Sequence, residues 1–97
     1  MVANSDKDAE KQKKKAVALK YDREKDAAPQ VAAKGAGFLA EKIIEVAQEH
    51  GIHIHEDADL VEVLEKVEVE QEIPLEVYSV VAEIFSYIYK VNKSKKA

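Results

Sequence analysis

Three histidines crowd into HGIHIHED, residues 50–57. His53 and His55 are two apart, so on a strand they share one face. Two imidazoles on one face can grip a borderline metal ion, and His50, Glu56 or Asp57 could complete the set. A metal-binding module or metal-dependent enzyme built on His53 and His55 is therefore one reading. The plainer reading needs no metal. His50 closes a helix, where an imidazolium complements the carbonyl end, and His53 and His55 form the polar face of an edge strand. The spacing to a third ligand is not diagnostic, so the plainer reading is preferred. No metal ligand is assigned and no cofactor is expected.

Other reactive groups are scattered. Glu41, Glu45, Glu49, Glu62 and Glu65 fall opposite apolar stripes, which makes them solvated helix faces and not a general acid/base pair. The serines are Ser5, Ser79, Ser86 and Ser94, and none sits in a nucleophile elbow. The glycines of KGAG, residues 34–37, do not follow a phosphate-loop pattern. Tyr78, Tyr87 and Tyr89 are core and surface residues of a final helix. There is no cysteine, so disulfides and thiolate metal sites are excluded. The chain reads as non-enzymatic.

The elements that would position these residues follow from periodicity. In residues 16–22, Val17, Leu19 and Tyr21 alternate with Ala16, Ala18 and Lys20, as in a strand with one buried face. Residues 23–30 form a loop in which Pro29 holds Ala28 extended. Val31 to Lys34 resume a short strand that Gly35 ends. Over 36–50, Leu39, Ile43, Val46 and Ala47 recur at helical spacing, with Phe38 and Ile44 widening the stripe. Gly51 suits the residue after the helix, and Ile52 and Ile54 begin a third strand. Strand, helix and strand in about 25 residues predict parallel strands joined by a right-handed crossover. A second helix starts near Asp57 or Asp59 and buries Leu60, Leu64 and Val67. Residues 68–73 connect to a last helix after Pro74, with Val77, Val81, Ile84 and Ile88 as its stripe. The order is β-β-α-β-α-α: a small mixed sheet packed with three helices, of α/β (α+β) class.

Composition sets the limits. The 97 residues make one domain, 46% hydrophobic. Residues 1–15 read as a disordered polar tail, 16–92 as the folded domain and 93–97 as a second basic tail. About 75 residues remain for a core, which is enough for a domain of modest stability. Net charge is −4, unevenly placed. Residues 1–15 hold five lysines against three acids, 90–97 hold four lysines and no acid, and 16–89 hold 6 basic residues against 16 acids. An acidic body repels phosphate, so nucleic acid is a poor partner. No apolar run approaches the roughly 20 residues of a membrane span, and MVANSDKDAEKQKKK has no apolar signal-peptide core.

AVALKYD at 16–22, APQVAAKGAGFLAEKI at 28–43, the helix ending EHGI, LVEVL at 60–64 and EIP at 72–74, before an aromatic-rich last helix, together resemble one family. It is the cytoplasmic C-terminal domain of the export-apparatus switch proteins of flagellar and type III secretion systems, the FlhB/YscU/EscU family. The resemblance runs from about Ala16 to Val91. In that family Asn-Pro-Thr-His and one more residue precede the AVALKY strand, and the chain cuts itself between Asn and Pro. The asparagine side-chain amide attacks its own carbonyl in a strained turn and forms a succinimide. The aligned residues here are Lys11, Gln12, Lys13 and Lys14, with Lys15 next. None of them can cyclise at that place, so the resemblance implies a domain without self-cleavage.

The resemblance carries further expectations. The family has an apolar strand before the cleavage motif, where this chain has lysines. Val17 and Leu19 would then lie on a strand with a vacant edge, inviting strand addition by another export component or a homodimer through that edge. Lysines 11–15 flanking the edge would oppose this. An apolar depression that receives early export substrates would be lined by Ala28 and Pro29 in the loop and by Val61 and Leu64 on the second helix. Val61, standing where alanine is usual, would make it shallower, and Ala58–Asp59 replace the proline pair before that helix. The implied partners are flagellar or type III export gate components and early export substrates, and the implied location is cytoplasmic, at the membrane-embedded export apparatus.

Overall fold

The computed structural model describes residues 1–5 and 14–95, the side chains of 93–95 aside. Four strands and three helices follow in the order β1 (Val2–Asn4), β2 (Lys15–Lys20), β3 (Gln30–Ala36), α1 (Phe38–Glu49), β4 (Ile54–Glu56), α2 (Ala58–Leu64) and α3 (Leu75–Lys95). The sheet order is β3-β2-β1-β4. β1 and β2 are antiparallel, as are β2 and β3, while β4 runs parallel to β1. The two strands flanking α1 therefore run the same way, as the crossover predicts, but with two strands between them. The mixed sheet with three helices is the expected architecture, extended by one strand.

That strand, with Lys15 in β2, corrects the expected tail at those positions; residues 6–13 of the expected tail lie outside the described residues. Val2–Asn4 lies in the middle of the sheet, and all three residues are buried. On one side Leu19 N donates to Met1 O at 2.8 Å and Ser5 N to Lys15 O at 3.0 Å. On the other, Val2 N donates to His53 O and Asp57 N to Asn4 O, both at 2.9 Å. Burying three small side chains contributes little by itself. Completing the hydrogen bonds of two neighbouring strands is what makes the placement favourable, because buried backbone groups left unpaired are expensive.

Each sheet face carries its own core. Ala3, Val17, Leu19 and Val31 pack against Leu60, Val61 and Leu64 of α2 and Val77 and Val81 of α3. Val2, Ala16, Ala18 and Ile54 pack beneath Ala40, Ile43, Ile44 and Ala47 of α1. The buried stripe of α1 is thus rotated from the expected one: Leu39 is 56% exposed and Phe38 80%. A close approach explains this. A Cβ on Gly35 would overlap the Leu39 side chain, so Leu39 rides over Gly35 while alanines let the helix backbone near the sheet. β3 runs on through Gly35, with Ala32 as the extra residue of a bulge opposite Ala18 and Leu19.

Helix α2 starts at Asp57, whose carboxylate accepts from Leu60 N at 3.1 Å. Asp59 falls inside the helix. After it, residues 68–73 run along the outer edge of β3. Val31 N donates to Gln71 O, Glu70 N to Val31 O and Ile73 N to Pro29 O, at 2.7–3.0 Å. Val67 lies past the end of α2 and is half-buried against the core.

Candidate interaction surface

The start of β2 carries two lysines, one directed to each face of the sheet. Lys14 presents its carbonyl to Gly37 N at 2.8 Å, and its ammonium lies 3.9 Å from Glu41 on α1. Lys15 reaches the other face and meets Glu65, just beyond α2, at 2.9 Å. Lys34 of β3 donates to the carbonyls of Glu65 and Val67, each at 3.0 Å. It thereby serves the orphan carbonyls at the end of α2, where a cation is also favoured by the helix dipole. Between these groups opens a shallow cleft of about 310 Å³, lined by Lys15, Ala16, Val17, Lys34, Ala36 and Glu65. Two ammonium groups and one carboxylate over an apolar floor suit a partner with acidic and apolar side chains. They offer no nucleophile and no poised acid.

The six residues expected to contact partners are all buried. Val17 and Leu19 retain 1% and 5% exposure and sit in the core. β2 is paired on both sides, by β1 and β3, so the vacant edge expected beside Val17 and Leu19 is not there. β2 accordingly presents no unpaired edge for a homodimer or for strand addition. The physical cause is that the chain supplies the missing strand itself. Val61 and Leu64 are fully buried in the same cluster as Val17 and Leu19. Ala28 is 8% exposed and Pro29 buried, with its carbonyl held by Ile73 N. Ala28, Pro29, Val61 and Leu64 therefore pack inside the layer between the sheet and its helices and do not line an open depression in this conformation. Ala58 and Asp59 form the exposed first turn of α2, which starts without the proline pair because Asp57 caps it.

The histidines are placed separately. His50 has Nδ1 2.9 Å from Val46 O. The rings of His53 and His55 stack at 6.5 Å between centroids, and His53 meets Tyr87 edge-on at 6.1 Å. His55 Nε2 lies 3.8 Å from Asp57. Among the described residues, no three His, Cys, Asp or Glu side chains are grouped so as to hold a metal ion. The geometry gives no support to a metal centre on His53 and His55. The His53 ring is held below its ordinary pKa, first by burial, then by the charges of His55 and the Met1 amino group.

Of the residues aligned with the cleavage motif, Lys11, Gln12 and Lys13 lie outside the described residues. The contacts missed by periodicity are β1 itself and the Lys15–Glu65–Lys34 bridge. Each depends on pairing across long sequence separations, and the only local sign was the apolar triplet Met1-Val2-Ala3.

Comparison with known proteins agrees with this geometry. A family model described as the FlhB HrpN YscU SpaS family matches residues 13–88. The protein YlqH of Bacillus subtilis (strain 168) is 49% identical over 83 residues, covering 86% of this chain and 89% of that protein. The flagellar biosynthetic protein FlhB of the same organism is 44% identical over 79 residues, 80% of this chain but 22% of its own. The chain thus spans about a fifth of the length of the FlhB proteins it matches. Among solved structures, the cytoplasmic domain of FlhB from Shewanella putrefaciens superposes with a TM-score of 0.81 at 30% identity, covering 98% of this chain and 73% of that one. An EscU C-terminal domain gives a TM-score of 0.71 at 27% identity, covering 75% and 68%.

Proposed function

Because this chain belongs to the FlhB HrpN YscU SpaS family, we propose that it is an export-switch cytoplasmic domain that does not cut itself and acts by docking on the export gate. One observation carries the reading. The segment between β1 and β2, where the family places its scission point, contains no Asn-Pro pair, and neither proline of the chain, Pro29 or Pro74, follows an asparagine. Succinimide formation with loss of the following proline nitrogen therefore has no substrate here. In this reading β1 and β2, which pair in the sheet, stay joined by the segment between them.

The mode of docking follows from the pairing. Strand addition beside β2 is unavailable, so contact is made through side chains. The cleft of Lys15, Lys34 and Glu65 is the surface we assign to a gate component. Receipt of an apolar early-substrate segment at Ala28, Pro29, Val61 and Leu64 would first require α2 to lift from the sheet, since all four are buried. Among the described residues no helix is long and apolar enough to cross a membrane.

Two measurements test it. Intact mass spectrometry of the purified chain is expected to show one species of 10.8 kDa after prolonged incubation; a spontaneous cut within residues 11–15 would refute the loss of cleavage. Expression in a strain whose FlhB is truncated before its cytoplasmic domain is expected to restore export, and Lys15→Glu with Lys34→Glu to weaken that rescue. Failure of the native chain to restore export or to bind any gate component ends the docking reading.

A further inference from the structure

The last turns of α3 carry exposed side chains that the proposed docking does not use. No acidic residue follows Glu83, while Lys90, Lys93 and Lys95 fall within the helix. Tyr87 is 60% exposed and Tyr89 53%. On the underside, Phe85, Ile88 and Val91 face Ile52 and His53 across a depression of about 400 Å³. Arg23 adds a further positive charge at this end, its guanidinium 4.8 Å from the centre of the Tyr89 ring. Asp22 and Glu24 line the hollow on that same flank, so the flank of Tyr87, Lys90 and Val91, one helical turn apart, is the cleaner basic and apolar face.

We propose that this end of α3 rests on an anionic phospholipid surface. Tyrosine rings and lysine stems are the side chains that settle at a membrane interface, with an apolar body and a polar or charged tip. Acyl chains give Tyr87, Ile88 and Val91 an apolar counterpart, which a nucleic-acid backbone does not. The rest of the chain decides the orientation. Residues 16–89 hold 6 basic residues against 16 acids, so a flat anionic surface repels the body and attracts the basic end of α3, where apolar side chains accompany the charge. Charges beyond the Debye length of about 8 Å are screened, which lets the two opposite ends act independently. Contact is peripheral, at the headgroup level, as for an amphipathic basic helix.

The test uses the full chain with vesicles of phosphatidylcholine alone, or with a third of the lipid as phosphatidylglycerol. Cosedimentation is expected with the anionic vesicles only, and to fall as salt is raised. Lys90→Gln and Lys93→Gln are each expected to lower partitioning about fivefold. Tyr87→Ser is expected to lower it at unchanged charge, and urea unfolding of each variant confirms an intact fold. Equal binding to neutral and anionic vesicles would overturn the proposal. So would anionic binding that ignores these substitutions. Binding to soluble polyglutamate as strong as to vesicles, indifferent to Tyr87→Ser, would overturn it in favour of an acidic protein partner.

Discussion

Lys15 and Glu65, fifty residues apart in sequence, meet at 2.9 Å between Nζ and Oε1 and join the start of β2 to the end of α2. Both side chains keep about a third of their exposure, so solvent screens the pair. A double-mutant cycle with Lys15→Met and Glu65→Gln is expected to give a coupling of about 0.5 kcal/mol in urea unfolding. Lys34, in contrast, satisfies two carbonyls at once. Lys34→Met is expected to cost about 1–2 kcal/mol, because those groups lose a charged donor. A cycle in which Lys15 outweighs Lys34 would reverse this ranking.

The placement of β1 predicts that Ala3 is intolerant. Its side chain is fully buried in the core beneath α2 and α3. Ala3→Glu puts an unpaired carboxylate there, at a cost of about 4 kcal/mol, a large part of the stability of a small domain. Loss of the cooperative thermal transition is the expected result, with Ser5→Glu at the strand end as the near-neutral control. A tail at this position would tolerate both substitutions equally.

Glu70 adopts φ 76°, in the left-handed region. It is held there by its N–H bond to Val31 O at 2.7 Å and by Lys20 at 3.1 Å from its carboxylate. That conformation costs a residue such as Glu roughly 1 kcal/mol, and Asn tolerates it better. The ion pair is exposed on both sides and contributes little. Glu70→Asn is therefore expected to raise the urea midpoint, by about 0.5 kcal/mol in stability. A lowered midpoint would show that the Lys20 contact outweighs the backbone strain.

His53 sets a pH dependence. Its neutral form is favoured in the fold, so the unfolded chain binds the proton more readily. The resulting stability is fully present above the ordinary imidazole value of 6.5 and is lost as pH falls below it through the lowered folded value. The wild-type unfolding midpoint is expected to drop across that interval more than the midpoint of His53→Asn. Parallel curves for the two proteins would rule out His53 as the source.

Legibility from sequence varied with the range of the interaction. The alternation of Val17 and Leu19 and the periodicity of Val77 and Val81 predicted strand and helix correctly, since both patterns are local and both residues of each pair are buried. The stripe of α1 was misassigned to Leu39 and Val46. Ile43 and Ala47 of the expected stripe do face the sheet, joined by Ala40, because glycine and alanine allow a close approach that larger side chains would block. Hydrophobicity ranks Leu above Ala, but it does not measure the space available. The candidate contact residues were legible as apolar positions and illegible as buried ones. Whether Val61 or Leu64 lines a surface depends on what lies over it.

The family, the mixed sheet with three helices and the lack of a scission pair are all present in the linear order of residues, because motif matching and covalent chemistry need no neighbours from elsewhere in the chain. What the tertiary structure alone decided is the role of Val2–Asn4. Three residues are too few to show a period. Their strand exists only because β2 on one side and β4 on the other, some fifty residues away, both leave backbone groups that need partners.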